Sequence, residues 1–240
     1  MVFIESDKNN SSSPPFAQEN MMRLLDETLD ELGPYKIIQK KRGYRFSEDS
    51  IRLADFVLPL KPTDSVIDLG TGSGVIPLIL AQKSPVQNIV GIEIQEGLAE
   101  IAKRNVELNT LSSRIKIIKG DFRILGTDFK SVPTKLETGQ FSVVISNPPY
   151  TKPVSGRISP QSERAMARME FTCSLDKLIK VSKYLLAENG RACYSFPVLR
   201  LNEMLSVVED NRLKLSKLEF IRPRVGCNVK RFLIEAIKEG

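Results

Sequence analysis

The chain predicts an α/β fold on a mostly parallel sheet, and three observations carry that expectation. From residue 65 onward, short apolar runs alternate with segments of helical period. The first run is followed at once by a glycine-rich turn that opens a helix. Acidic residues close successive runs, at the edge where open α/β sheets bind ligands.

The elements follow in order. Residues 1–17 are polar, rich in serine and proline, and predict a disordered tail. Residues 18–32 carry Met22, Leu25, Leu29 and Leu32 at helical spacing, which predicts an amphipathic helix stopped by Gly33-Pro34. A second helix starts at Ser47, a capping residue followed by Glu48 and Asp49 at the positive end of the dipole. Together these give a helical lead-in over 18–60, and the single catalytic domain is expected to span 18–240. Strands are expected at 65–69, 88–94, 115–119, 141–146 and 191–196, with a closing pair at 214–221 and 231–237. Helices are expected at 75–82, 97–108, 175–187 and 198–209. Residues 126–140 break the alternation and read as a loop or weak helix.

Composition narrows the chemistry. The chain has 240 residues, 41% hydrophobic and 27% charged, ordinary for a globular protein. No run approaches the about 18 apolar residues of a membrane helix, and the first residues lack a signal-peptide pattern, so a cytoplasmic location is expected. There is no histidine, and Cys173, Cys193 and Cys227 form no CxxC pair. This argues against zinc sites and against imidazole-based nucleophilic catalysis, and no metal is expected. The net charge of +6 is unevenly divided: residues 1–32 hold two basic and seven acidic residues, so the remainder carries +11. A body that basic suits an anionic partner, nucleic acid first.

The motifs are more specific. Asp68-Leu69-Gly70-Thr71-Gly72-Ser73-Gly74 follows the first strand. Glycines there let the backbone turn sharply and approach a ligand closely. Val75 stands where a dinucleotide fingerprint needs its last glycine, and no Gly-Lys-Ser/Thr ending makes it a P-loop. Glu93 ends the second strand, 21 residues after Gly72, where a carboxylate can accept from both hydroxyls of a ribose; Ile94 follows it. A ligand with ribose and adenine but no phosphates fits, and S-adenosylmethionine is such a ligand. Asp121 ends the third strand, where it can accept from an adenine amino group while Phe122 packs near the ring. Asn147-Pro148-Pro149-Tyr150 ends the fourth. Its prolines remove two N–H donors and leave a rigid set of acceptors, the Asn147 side-chain oxygen and the Pro148 carbonyl, which can take both hydrogens of a planar amine. Tyr150 offers a face for stacking a base.

DLGTGSG, GIEI, KGDF and NPPY in this order resemble the class I S-adenosylmethionine-dependent methyltransferases of the amino-methylating branch. Tyr35-Lys36-Ile37-Ile38-Gln39, Gly43-Tyr44-Arg45-Phe46-Ser47 and Asp49 sharpen the resemblance. So do Arg222-Pro223-Arg224-Val225-Gly226 and Phe232-Leu233-Ile234-Glu235, and the match is to the YfiC-type tRNA adenine-N6 methyltransferases. The resemblance implies a three-layer Rossmann-like fold whose seven-stranded sheet carries one antiparallel strand near the C-terminus. It implies methylation of an adenine beside the anticodon of a valine tRNA, with S-adenosylhomocysteine as product. Asp68, Gly70, Thr71, Gly72, Gly74, Glu93, Ile94, Asp121 and Phe122 would bind the cofactor, and Asn147, Pro148, Pro149 and Tyr150 would form the catalytic platform. Residues 44–49 would close over the methionine end of the cofactor.

The segment after Tyr150 is basic and is expected to be mobile at the pocket mouth. Lys152, Arg157, Arg164 and Arg168 are its expected RNA phosphate contacts. A monomer is the default. The competing readings are a protein glutamine N5-methyltransferase, a ribosomal RNA adenine-N6 or guanine-N2 methyltransferase, and a catalytically silent RNA-binding scaffold. A glutamine-modifying enzyme would carry a helical substrate domain ahead of the catalytic one, and fewer than 70 residues precede the glycine motif here.

Overall fold

The computed structural model describes residues 24–43, 45–124, 136–148, 174–222 and 228–240. The first element corrects the sequence expectation. Residues 27–32 are a strand, β1 (Glu27–Leu32), paired antiparallel with β2 (Tyr35–Lys40) in a separate two-stranded sheet. Gly33-Pro34, read as a helix stop, is the two-residue loop of this hairpin, with Gly33 at φ +63°. Such loops need a positive φ at their first residue, and glycine adopts it without strain.

Helix α1 (Glu48–Val57) begins where Ser47 predicts it. The Ser47 hydroxyl, however, bonds the Asp49 carboxylate at 3.3 Å, and Ser47 makes no side-chain cap bond to the helix. There follow β3 (Ser65–Leu69), α2 (Val75–Lys83), β4 (Asn88–Glu93), α3 (Glu96–Leu108), β5 (Ile115–Lys119) and β6 (Phe141–Ser146). The chain continues through α4 (Leu175–Leu185), β7 (Leu186–Pro197), α5 (Leu201–Asp210), β8 (Leu213–Ile221) and β9 (Arg231–Lys238). β7 starts five residues earlier than the sequence suggests, because Leu186 already pairs with Phe141.

The strand order is β5-β4-β3-β6-β7-β9-β8. β9 inserts between β7 and β8 and runs antiparallel to both. Within β3, alternation sends Val66 to one face and Ile67 and Leu69 to the other. Val66 packs with α1 and α2, while Ile67 and Leu69 pack with α4 and α5. Both faces are covered, so the strand reads as unbroken apolar sequence except at Asp68. α2 is buried at every position from Val75 to Ala81. Its last carbonyls and the loop after it are collected by Arg114, which donates to Ala81, Ser84 and Val86 oxygens at 2.7–3.0 Å.

Chain progression runs outward from β3 to β5 on one side, then restarts at β6 on the other. Open α/β sheets bind ligands at such a reversal, beyond the carboxyl ends of the strands. Asp68 lies in register with Gly91 of β4 and Ile145 of β6, so the β3 and β6 termini are neighbours there.

Candidate active site

The turn after β3 places three glycines, 70, 72 and 74, at φ +79°, +59° and +82°. Side-chain-bearing residues adopt that region at a cost, so the path itself requires glycine. The turn is stitched to the neighbouring strand: the Gly70 and Thr71 N–H groups donate to Ile92 O at 2.9 and 3.0 Å. The Gly72 N–H donates to Glu93 Oε2 at 2.9 Å, and the Gln95 N–H to Glu93 Oε1 at 2.9 Å. Glu93, 5% exposed, is thus held by one backbone N–H on each oxygen. Ile94 follows it, half-buried.

Asp68 is fully enclosed, and neither of its carboxylate oxygens meets a hydrogen-bond partner. Burial pushes its pKa up to about 7, and the Glu93 charge adds to the rise. The Thr71 and Ser73 hydroxyls in the same turn are also buried and unsatisfied. Buried polar atoms are ordinarily paired, so a cluster of orphans at a glycine turn fits a bound polar ligand. A cationic ligand fits best, since two carboxylates share the site and one is ionised only with difficulty. S-adenosylmethionine, with a ribose, an ammonium group and a sulfonium, meets those demands.

Asp121 stands just beyond β5, and its carboxylate is gripped by Arg123 through Nε at 2.8 Å and Nη2 at 2.7 Å. Burial alone would raise Asp121; the Arg123 hydrogen bonds and charge outweigh it and hold the carboxyl below its ordinary range. A base amino group would share Asp121 with that guanidinium. Phe122, 4% exposed, packs in the α4 core.

Asn147 and the buried Pro148 follow β6 at the reversal. Asn147 Nδ2 donates to Ser50 Oγ of α1 at 2.9 Å. Pro149, Tyr150, Lys152, Arg157, Arg164 and Arg168 lie outside the described residues, as do Tyr44 and the 1–17 tail.

Two asparagines, Asn105 on α3 and Asn109 at its C-terminal cap, escaped the sequence reading. Asn105 accepts from the Ile38 N–H at 2.6 Å and donates to Ile38 O at 3.0 Å. Asn109 does the same with Lys36, at 2.9 and 2.7 Å. One helical turn apart, they pair with alternate residues of β2 as a third strand would. Asn105 also donates to Ser73 O at 2.9 Å, which joins the hairpin to the glycine turn. Their i,i+4 spacing is visible in sequence, but nothing there says that a strand lies opposite.

The methyltransferase small domain family matches residues 52–162. A protein of Shewanella loihica named tRNA1(Val) (adenine(37)-N6)-methyltransferase is 32% identical over 174 residues, 72% of this chain and 68% of its own. The chain belongs to the tRNA1(Val) (adenine(37)-N6)-methyltransferase family. A family member of the same name from Porphyromonas gingivalis strain W83 is 37% identical over 70% of this chain, and the match spans 64% of that relative's length. Solved structures share the family's fold. One, described as a predicted O-methyltransferase from Agrobacterium tumefaciens, superposes with a TM-score of 0.63 at 22% identity, over 80% of this chain and 81% of its own. A geranyl diphosphate C-methyltransferase from Streptomyces coelicolor, solved with S-adenosyl-L-homocysteine, gives 0.57 at 12%, covering 80% and 77%.

Proposed function

We propose that this chain transfers a methyl group from S-adenosylmethionine to the exocyclic N6 of an adenine in tRNA, beside the anticodon, as a cytoplasmic monomer without metal. The observation that carries the reading is the meeting, at the β3/β6 reversal, of an acidic glycine turn with Asn147-Pro148. The relatives' names supply the tRNA and the position. Among the described residues no helix is long and apolar enough to cross a membrane.

When bound, S-adenosylmethionine supplies a sulfonium methyl group that passes to an amine nitrogen as the C–S bond breaks, with one proton lost to water. The residues of this chain do the positioning. Glu93, fixed by Gly72 and Gln95, accepts from the ribose hydroxyls. Asp68, Thr71 and Ser73 take the polar groups that satisfy them. Asn147 and Pro148 would accept from the adenine amino group and so orient its lone pair for methyl transfer, and Tyr150 would stack on the base. Orientation and fixed dipoles supply the rate, so no histidine is needed. A stacked target base must first turn out of its helix. Lys152, Arg157, Arg164 and Arg168 hold the RNA backbone.

The test is to incubate purified protein with S-adenosylmethionine and unmodified tRNA, then digest for nucleoside mass spectrometry. N6-methyladenosine that falls steeply, to a small but measurable residue, with Asn147→Ala is the expected result. Methylation of ribosomal RNA or of a protein glutamine instead would overturn the substrate.

A further inference from the structure

A primary amide has two chemically opposite ends: one oxygen that accepts and one nitrogen that donates. Only the oxygen can hold an amine that must itself donate. Turned by half a revolution, the Asn147 side chain would present its N–H groups to the substrate's N–H groups and repel them. Something in the fold must therefore choose the orientation.

Ser50 is the residue that faces the nitrogen end of this amide. Its Oγ accepts from Asn147 Nδ2 at 2.9 Å across 97 residues of sequence, and Ser50 is 1% exposed. The helix that presents it is pinned near its start and at its far end. Asp49 is bridged to Arg231 of β9 at 2.6 Å, and the Phe46 N–H donates to Gln39 Oε1 at 3.1 Å. At the far end Arg191 of β7 donates to Val57 O at 2.7 Å. A buried hydroxyl on an anchored helix fixes where the amide end sits, and the bond formed in the structure is the one in which the Asn147 nitrogen donates and the Ser50 oxygen accepts.

We propose that Ser50 is a positioning residue for methyl transfer, holding the Asn147 amide so that its nitrogen faces α1 and its oxygen faces the target amine. This rests on the reading of Asn147 as the acceptor platform. Ser50 touches neither substrate nor cofactor; it acts through Asn147.

The test compares Ser50→Ala and Ser50→Thr in the wild-type and Asn147→Ala backgrounds. With tRNA and S-adenosylmethionine, Ser50→Ala should lower kcat by about 10- to 100-fold, the scale of loss that small misplacements cause. Cofactor Kd and tRNA KM should stay within twofold of wild type and the melting temperature within about 2 °C, and Ser50→Thr should recover most of kcat. In the Asn147→Ala background, Ser50→Ala should cause no further loss. A Ser50→Ala enzyme as fast as wild type, or an equal loss in both backgrounds, overturns the proposal. A second readout does not depend on the reaction. In a protein labelled with 15N-asparagine, the Asn147 side-chain amide signal, assigned by its disappearance in Asn147→Ala, should shift and exchange faster in Ser50→Ala but not in Ser50→Thr. If wild type methylates no adenine, the functional reading falls, and this signal alone decides the tether: an unchanged resonance in Ser50→Ala overturns it.

Discussion

Glu93 shows how one side chain is prepared before a ligand arrives. Each carboxylate oxygen already accepts a backbone N–H, from Gly72 and Gln95, so the group cannot swing away. Glu93→Gln keeps the shape but replaces one accepting oxygen with a donor. It should weaken S-adenosylmethionine by about 1.5–3 kcal/mol, or roughly ten- to a hundredfold in Kd, measured by calorimetry. Asp68 makes a pH-dependent prediction. Its folded pKa, about 7, lies above the ordinary 3.8, so the folded protein holds the extra proton between those values. The stability linked to that proton is complete below pH about 4 and is lost as pH rises through 7. Cation binding favours the ionised form, so cofactor affinity should rise with pH up to about 7 and level off above it, with proton release on binding at pH 6. Asp68→Asn should abolish both effects in calorimetry run in two buffers. The placement of Asp68 and Glu93, buried at the ends of β3 and β4, was legible in sequence where motif and strand end coincide. It was hidden where partners are distant in sequence, as Ser50 and Asn147 are, 97 residues apart.

The β1–β2 hairpin marks where local pattern fails at the scale of elements. Leu25, Leu29 and Leu32 have helical spacing, yet Leu25 is 97% exposed and no helical stripe forms. The segment becomes a strand because its neighbours reward that state. Asn105 and Asn109 pair with β2, and the buried Glu27 of β1 meets Arg104 of the same helix at 2.8 Å. Burial alone would raise the Glu27 pKa; the Arg104 bond, the Leu24 N–H and the Arg104 charge hold it below its usual value. The docking that depends on this carboxylate is therefore complete above pH about 4.5 and is lost as pH falls through the lowered value. Arg104→Ala should leave a buried charge unpaired and cost about 3 kcal/mol of docking. Hydrogen exchange should report it as opening of the β2 amides before global unfolding. Asn105→Ala should open the same amides and also weaken the cofactor, because it frees the Ser73 carbonyl. The periodicities predicted β3, β4 and β6 well, since these strands are buried on both faces and bounded by turn residues.

Charge is a property of the whole molecule. On the proposed function, the excess of +11 beyond residue 32 would give tRNA a long-range attraction, and the basic residues after Tyr150 are proposed to add local contacts. Replacing Arg157 and Arg164 together with alanine should weaken tRNA binding at low salt. The slope of log affinity against log salt should shrink by about 1.5–2, while cofactor affinity holds. Filter binding across a salt series measures this, and an unchanged slope would remove these arginines from the interface. The seven-stranded order was legible only through family resemblance, because pairing across β7, β9 and β8 is a matter of topology that periodicity does not encode.

That C-terminal order also bears on how the molecule is made. β8 leaves the ribosome before β9, yet among the described residues its only strand partner is β9. During synthesis β8 must wait, while β7 offers an unpaired edge lined by Tyr194 and Phe196. The last strand to emerge closes both gaps at once, so this end of the sheet assembles in a single late event. Until then the nascent chain carries an open β edge that a chaperone, or another nascent chain, can find first.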